Sequence, residues 1–225
     1  MKVICENLTK SYFTADKIHV EAVKNCSAAF ESGKITCIMG VSGSGKSTLL
    51  GMLALDLEPD SGKIYFDGIE VSALSEKEKE KLRSEVIGYI PQSLGLVDIL
   101  TAKENILLPH IIAGRKRKLD EVVINRLGIG DVLDRLPDEM SGGQKQRTVI
   151  AREFMRKPQI FLADEPTAAL DSENIAAVME LFCELRDCGC AVILTTHDER
   201  LCEYADIVYR MTDGVSEISR NQGDA

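Results

Sequence analysis

A lysine and two hydroxyl residues close a stretch rich in glycine and serine, Gly40-Val41-Ser42-Gly43-Ser44-Gly45-Lys46-Ser47-Thr48. Glycines let a chain turn its backbone N–H groups inward around an anion, and a helix N-terminus adds the positive end of its dipole. In such a cradle Lys46 reaches the β- and γ-phosphates of a nucleotide, and the Ser47 hydroxyl ligates Mg²⁺. The flanks have the required order: Ile35-Thr36-Cys37-Ile38-Met39 reads as a strand, and Leu49-Leu50-Gly51-Met52-Leu53 as an apolar helix. Gly40, Ser42, Gly43, Ser44, Gly45, Lys46, Ser47 and Thr48 are therefore the expected binding residues for a nucleoside triphosphate.

A second group of chemically capable residues lies further along. The apolar run Ile160-Phe161-Leu162-Ala163 delivers two acids, Asp164 and Glu165, to a strand end. One acid after such a run supports the Mg²⁺ that bridges the phosphates. Another beside it would repel the anion as a phosphate contact but can take a proton from an attacking water. Asp164 is assigned the metal and Glu165 the general base. Ala191–Thr196 is another apolar strand, ending at His197, and the strand Val86–Ile90 ends at Pro91-Gln92. His197 and Gln92 are candidate catalytic groups, and Gln92 a candidate for holding the metal or the water and reporting occupancy. Tyr12 offers a ring on which an adenine base could stack, worth roughly 1–3 kcal/mol.

Ser141-Gly142-Gly143-Gln144 precedes a helix and forms a second anion cradle without a lysine of its own. A phosphate site of that kind makes sense if it completes a nucleotide site built by another loop.

The elements that position these groups alternate. Residues 3–8 and 18–23 read as strands joined by a polar loop carrying Tyr12 and Phe13, with Ser27–Phe30 as a further strand. Lys63–Phe66 and Glu70–Val71 flank the turn Asp67-Gly68. Ser75–Ser84 reads as a charged surface helix anchored only by Leu74 and Leu82. From Ser93 the pattern turns helical, with helices at Thr101–Leu108 and about Leu119–Leu127 and stops at Gly114, Gly128 and Gly130. A helix then runs from the second cradle to Arg156, and Asp171-Ser172 caps another that ends at Gly189. Residues 207–219 read as a closing hairpin around Asp213-Gly214. Strands alternating with helices around a phosphate loop imply an α/β fold with a largely parallel core sheet. The expected organisation is one domain over residues 1–225, with a small antiparallel β subdomain and a helical subdomain of about residues 93–150 inserted into the α/β core.

With 225 residues, 44% of them hydrophobic and 28% charged, the chain has the balance of a globular protein. A net charge of −9 without a long basic face argues against nucleic acid as a partner. Arg115-Lys116-Arg117-Lys118 is the one basic cluster, a solvated segment or a contact for anionic lipid or a partner. Seven irregularly spaced cysteines fit a reducing, cytoplasmic compartment, with Cys37 and Cys183 read as small core residues. The N-terminus lacks a signal-peptide pattern, and no apolar run approaches the length of about 18 residues that a membrane span needs. Any membrane role would go through another protein.

These motifs together resemble the nucleotide-binding subunit of ATP-binding cassette (ABC) transporters, over essentially the full chain. The resemblance implies a P-loop NTPase core, with Tyr12 as the adenine stack, Gly40–Thr48 as the Walker A loop and Gln92 as the Q-loop. It makes Ser141–Gln144 the signature, Asp164 and Glu165 the Walker B end and base, Ala168–Asp171 the D-loop, and His197 the switch histidine. It further implies ATP and Mg²⁺ as cofactors, and a head-to-tail dimer of two copies in which each signature closes over the partner copy's nucleotide. An integral-membrane permease on a separate chain would hold the subunit at the cytoplasmic face. Leu100–Asn105 and Gly142–Arg152 resemble most the branch of lipoprotein-releasing, macrolide-efflux and antimicrobial-peptide ATPases, which also holds the cell-division ATPase. Export or extraction of a peptide, lipid-linked or drug-like substrate is the expected role; force transmission without solute transport, as in cell division, is the alternative. Met140, Ala168-Ala169 and a short segment between Gly114 and Met140 depart from the family's usual pattern.

Overall fold

Valine, isoleucine and leucine dominate the buried strands, while glycines and charged runs separate the elements. The computed structural model describes residues 1–13 and 17–221. In chain order the elements are β1 (Val3–Phe13), β2 (His19–Phe30), β3 (Lys34–Met39), α1 (Lys46–Leu53), β4 (Ser61–Phe66), β5 (Ile69–Glu70), α2 (Glu76–Glu85) and β6 (Ile87–Ile90). They continue as α3 (Ala102–Ile112), α4 (Glu121–Arg126), α5 (Gly142–Met155), β7 (Ile160–Asp164), α6 (Ser172–Asp187), β8 (Ala191–Thr196), β9 (Ile207–Thr212) and β10 (Val215–Asn221).

Two sheets form. The smaller is antiparallel, in the order β2-β1-β4-β5; the larger has six strands in the order β10-β9-β3-β8-β7-β6. Within it β3 pairs in parallel with β8 and β9, and β7 in parallel with β8 and β6. Only β10 is antiparallel, so the hairpin expected at the end of the chain extends the core sheet.

Side chains alternate across the parallel strands. Ile35, Cys37, Phe161, Ala163, Val192 and Leu194 face one core with α5, α6 and the helical segment. Ile38, Ile160, Leu162 and Ile193 face another with α1 and the antiparallel sheet. Helix α1 is buried nearly all round, since Lys46, Leu49, Leu50, Gly51, Met52 and Leu53 are all inaccessible. A helix wedged between two sheets has no polar face.

The α/β class, the parallel core and the antiparallel subdomain agree with the sequence reading; several local details differ. The strands expected at residues 18–23 and 27–30 form one strand, β2, which begins at His19 and is interrupted at Asn25, whose φ of 46° lies in the left-handed region. The pairing shifts register between Leu8/Cys26 and Lys10/Val23, so the apparent gap is a bulge. Tyr12 and Phe13 are not in a loop, because pairing continues to Phe13↔His19; residues 14–16 of the expected loop lie outside the described residues. Helix α3 runs past Leu108 and through Pro109 to Ile112. Proline there removes one helical donor, but Ala102, Ile106 and His110 are buried along the same helix, and packing outweighs the loss. Gly114 and Gly128 do stop helices, with φ of 67° and 56°, whereas Gly130 opens a 3₁₀ turn. Cys37 is a core residue, but Cys183 is only half-buried.

Candidate active site

The site is built at the carboxyl ends of β3, β7 and β8, where ligands bind in parallel α/β sheets. After β3 the backbone turns through Gly43 (φ 82°) and Gly45 (φ 101°), and Gly45 caps α1. Two of these glycines are sterically required. A β-carbon on Gly45 would collide with the Ala22 carbonyl oxygen, and one on Gly40 with the Met211 carbonyl and the Ser44 hydroxyl. The loop is thus pressed against β2 at Gly45 and against β9 at Gly40, while Val41, Ser42 and Gly43 between them are exposed. Ser44 is buried, and its Oγ has no hydrogen-bond partner among the described residues. The Lys46 ammonium is buried and donates to the Gly40 and Val41 carbonyls at 2.8 and 3.0 Å. Ser47 is exposed at the helix start, and Thr48 is half-buried behind it.

Strands β7 and β8 bring the acids to this loop. Asp164 and Thr195 are register partners, and the Thr195 hydroxyl donates to Asp164 Oδ1 at 2.6 Å. The Glu165 N–H then donates to the same hydroxyl at 3.1 Å and to the Thr195 carbonyl at 3.2 Å. These bonds hold Glu165 at φ 49°, a conformation rare outside glycine and one that commonly marks functional turns. Its carboxylate lies near two of the expected site residues: Oε1 is 4.0 Å from Lys46 Nζ and 3.5 Å from His197 Nδ1. His197 itself is exposed. Burial, followed by the charges of Asp164 and Asp56, pushes the Tyr89 hydroxyl up to about 12, so the group beside Asp164 stays neutral.

Lys46, Asp164, Glu165 and His197 are therefore gathered at one crevice. Gln92 is exposed at the end of β6, the strand next to β7. The loop after it is tied to α5, because the buried Arg152 guanidinium donates to the Gly95 carbonyl at 2.8 Å and the Leu94 carbonyl at 3.4 Å. Tyr12 is 42% exposed, opposite Val20, two residues along β2 from the Ala22 carbonyl that abuts Gly45. Lys10 Nζ lies 6.0 Å from the centre of its ring.

Ser141, Gly142, Gly143 and Gln144 make no hydrogen bond to Lys46, Asp164, Glu165 or His197 among the described residues. Ser141 caps α5 through a capping box with Gln144, its hydroxyl accepting the Gln144 N–H at 3.3 Å. Ser141 and Gly142 are exposed, and Gly143 packs against Ala169 and Leu170 in the loop after Glu165.

Two residues that sequence reasoning passed over prove central. Thr195 is one, hidden inside an apolar strand. The other is Gln146, buried one turn into α5: its Nε2 donates to the Glu165 carbonyl at 3.0 Å, and its Oε1 accepts the Ala169 N–H at 3.2 Å. A polar residue on the buried side of α5 was the available signal.

The family model described as ABC transporter matches residues 23–168. An uncharacterized ABC transporter ATP-binding protein of Methanocaldococcus jannaschii is 40% identical over 197 residues, 86% of this chain and 88% of that protein. The lipoprotein-releasing system ATP-binding protein LolD of Aquifex aeolicus is 39% identical over 206 residues, 89% of this chain and 92% of its own length. The macrolide export ATP-binding/permease protein MacB of Campylobacter jejuni is 38% identical over 95% of this chain, which spans 33% of MacB. Among solved structures, a dimeric post-hydrolysis state of the cassette MJ0796 with ADP and Pi superposes with a TM-score of 0.88. It is 33% identical in sequence, covering 97% of this chain and 99% of its own.

Proposed function

The chain belongs to the ATP-binding cassette family of ABC transporters, and we propose that it hydrolyses ATP as a head-to-tail dimer to drive an integral-membrane permease on a separate chain. One observation carries the reading. The Glu165 carboxylate stands at the phosphate loop beside Lys46 and His197, while the second anion cradle opens to solvent at Ser141 and Gly142 and has no lysine of its own. An exposed cradle without a lysine of its own fits the loop of a second copy.

The geometry supports the following residue roles. Gly40, Ser42, Gly43, Ser44, Gly45 and Lys46 wrap the phosphates, and Tyr12 stacks on the base. The unpartnered Ser44 Oγ and the backbone turns at Gly43 and Gly45 suit a polyanion. For Mg²⁺ the donors also fit: Ser47 offers an exposed hydroxyl, Asp164 an oxygen beyond the one held by Thr195, and Gln92 an amide. Among the described residues no three His, Cys, Asp or Glu side chains converge into a metal cage, and Mg²⁺ usually takes few protein ligands and completes its shell with phosphate and water. When bound, the ion neutralises charge on the β- and γ-phosphate oxygens. Glu165 accepts the proton of the attacking water, and His197 orients the Glu165 carboxylate from the other side. Ser141, Gly142, Gly143 and Gln144 contact the γ-phosphate held by the partner copy.

Among the described residues no helix is long and apolar enough to cross a membrane, and the site of action is the cytoplasmic face of the membrane, through the permease. We read residues 1–225 as one cassette, with about residues 93–150 as the inserted helical subdomain. Relatedness to LolD and MacB favours export or extraction of a lipid-linked or drug-like substrate. Glu165→Gln tests both halves of the proposal. Turnover is expected to fall by roughly 10²–10⁴-fold with ATP binding intact. The tagged variant purified from source membranes with Mg-ATP is expected to retain a membrane permease. Near-normal turnover would remove Glu165 as the base, and recovery of soluble proteins alone would overturn the transport role. A cell-division membrane protein in place of a permease would favour force transmission.

A further inference from the structure

A reversible disulfide needs two thiols within reach of each other and one of them open to a dissolved oxidant. Cys37 and Cys202 meet both conditions. Their sulfurs lie 3.4 Å apart, across 165 positions of sequence. Cys37 is inaccessible in the middle of β3, which is held on both sides by parallel pairing of this residue with Leu194 of β8 and Val208 of β9. Cys202 is only half-buried, in the 3₁₀ turn Glu199–Tyr204 that follows His197. The hydrogen bond to Cys202, and after it burial, hold the Cys37 thiol well above the usual cysteine range. Cys37 is therefore the donor in the contact and keeps its proton, and Cys202 is the sulfur that an oxidant meets. Cys5 and Cys26 also share a hydrogen bond, but both are buried.

The turn that carries Cys202 is tethered unevenly. At its exit the Asp206 carboxylate accepts the Ile35 N–H at 2.8 Å, and the Asp206 N–H donates to the Ile35 carbonyl at 2.9 Å, so this end is fixed to β3. At its entrance the hold is lighter. The Asp198 N–H donates to the Thr196 hydroxyl at 2.9 Å, and the exposed His197 reaches the Glu165 carboxylate at 3.5 Å. A disulfide holds its sulfurs about 2.05 Å apart, closer than these thiols stand. Strand β3 cannot yield, because it is paired on both edges. The turn must move instead, and its looser end carries His197.

We propose that Cys37 and Cys202 are a hydroperoxide-responsive thiol pair whose disulfide slows ATP turnover. The effect on turnover rests on the function proposed above; formation of the disulfide does not. The Cys202 thiolate attacks one oxygen of the hydroperoxide and becomes a sulfenic acid, and the released alkoxide takes the proton that Cys202 gave up, leaving as an alcohol. The Cys37 sulfur then attacks the sulfenic sulfur, its proton leaves with the hydroxyl group as water, and the S–S bond forms. The two thiols lose two electrons to the O–O bond, and a dithiol reverses the change by exchange. A reversible bond of this kind suits a compartment that is otherwise reducing.

Peptide mapping of the purified full chain, treated with tert-butyl hydroperoxide and then alkylated, tests the pair. A bond joining Cys37 to Cys202 is expected, and dithiothreitol should remove it. A misplacement of about 1 Å near the chemistry costs up to about 10²-fold, so oxidation is expected to lower kcat by about ten-fold, with ATP affinity kept. Dithiothreitol should restore turnover. Cys202→Ser should hydrolyse ATP like the reduced wild type and lose nothing on oxidation. Cys188→Ser, which removes an exposed thiol, should respond as the wild type does. Absence of the Cys37–Cys202 bond, or a bond from Cys202 to Cys183 in its place, would overturn the proposal. So would equal loss of turnover in oxidised Cys202→Ser, or unchanged turnover in wild type carrying the bond. A reduced wild type that hydrolysed no ATP would overturn the effect on turnover together with the proposed function, while peptide mapping would still decide the thiol pair.

Discussion

A single hydroxyl joins the two acids of the site. Thr195 Oγ1 donates to Asp164 and accepts the Glu165 N–H, so it fixes the carboxylate proposed for the metal and the backbone of the proposed base. Hydrogen bonds to charged groups are worth roughly 1.5–3 kcal/mol, and a buried acceptor left unmet costs a similar amount. Thr195→Val keeps the shape and removes the bonds. It is expected to lower stability by about 2 kcal/mol in urea denaturation and to reduce kcat more than ATP affinity. Thr195→Ser should restore both; unchanged stability in the valine variant would show that the bond carries nothing. The acids themselves were legible, because they end an apolar run. Thr195 was not, because its role exists only through the pairing of β7 with β8, and residues 31 positions apart reveal no register in one sequence.

Among the elements, α5 links the two halves of the proposed machinery. Its first turn presents Ser141–Gly143; one turn later Gln146 grips the Glu165 carbonyl and the Ala169 amide; further on Arg152 grips the loop after Gln92. A movement of α5 therefore pulls on the backbone of the proposed base and on the Gln92 loop together. Gln146→Met preserves volume but leaves both backbone groups unmatched. The expected outcome is a loss of about 2–3 kcal/mol in stability, with a drop in kcat and little change in nucleotide affinity. Full retention of kcat would detach α5 from the chemistry. Element types were legible wherever one pattern governed: the buried strands β3, β7 and β8 appear at the residues their apolar runs mark. Boundaries were lost where tertiary contacts override local signals. At Pro109 the buried neighbours of α3 carry the helix onward, and at Asn25 a bulge imitates a strand break. The hairpin expected for residues 207–219 was correctly seen as a hairpin, but its membership of the core sheet comes from β9 pairing with β3 across most of the chain.

At the scale of the whole molecule, the proposal divides one copy's nucleotide-binding groups into two half-sites. The phosphate loop and Glu165 form one; the exposed turn at Ser141, packed against Ala169 and Leu170, forms the other. The sequence reading already expected this division from the single lysine-bearing cradle, since the second would need a nucleotide it does not itself hold. The most direct test of that arrangement is the ATPase activity of a mixture of Lys46→Ala and Ser141→Arg subunits. Each variant alone makes dimers in which both sites are broken. Mixed dimers join the intact phosphate loop of one subunit to the intact Ser141 turn of the other, giving one complete site. The account predicts that an equal mixture hydrolyses ATP well above the sum of the two variants measured separately. Activity no greater than that sum, with mixed dimers shown to form, would contradict a site shared between copies.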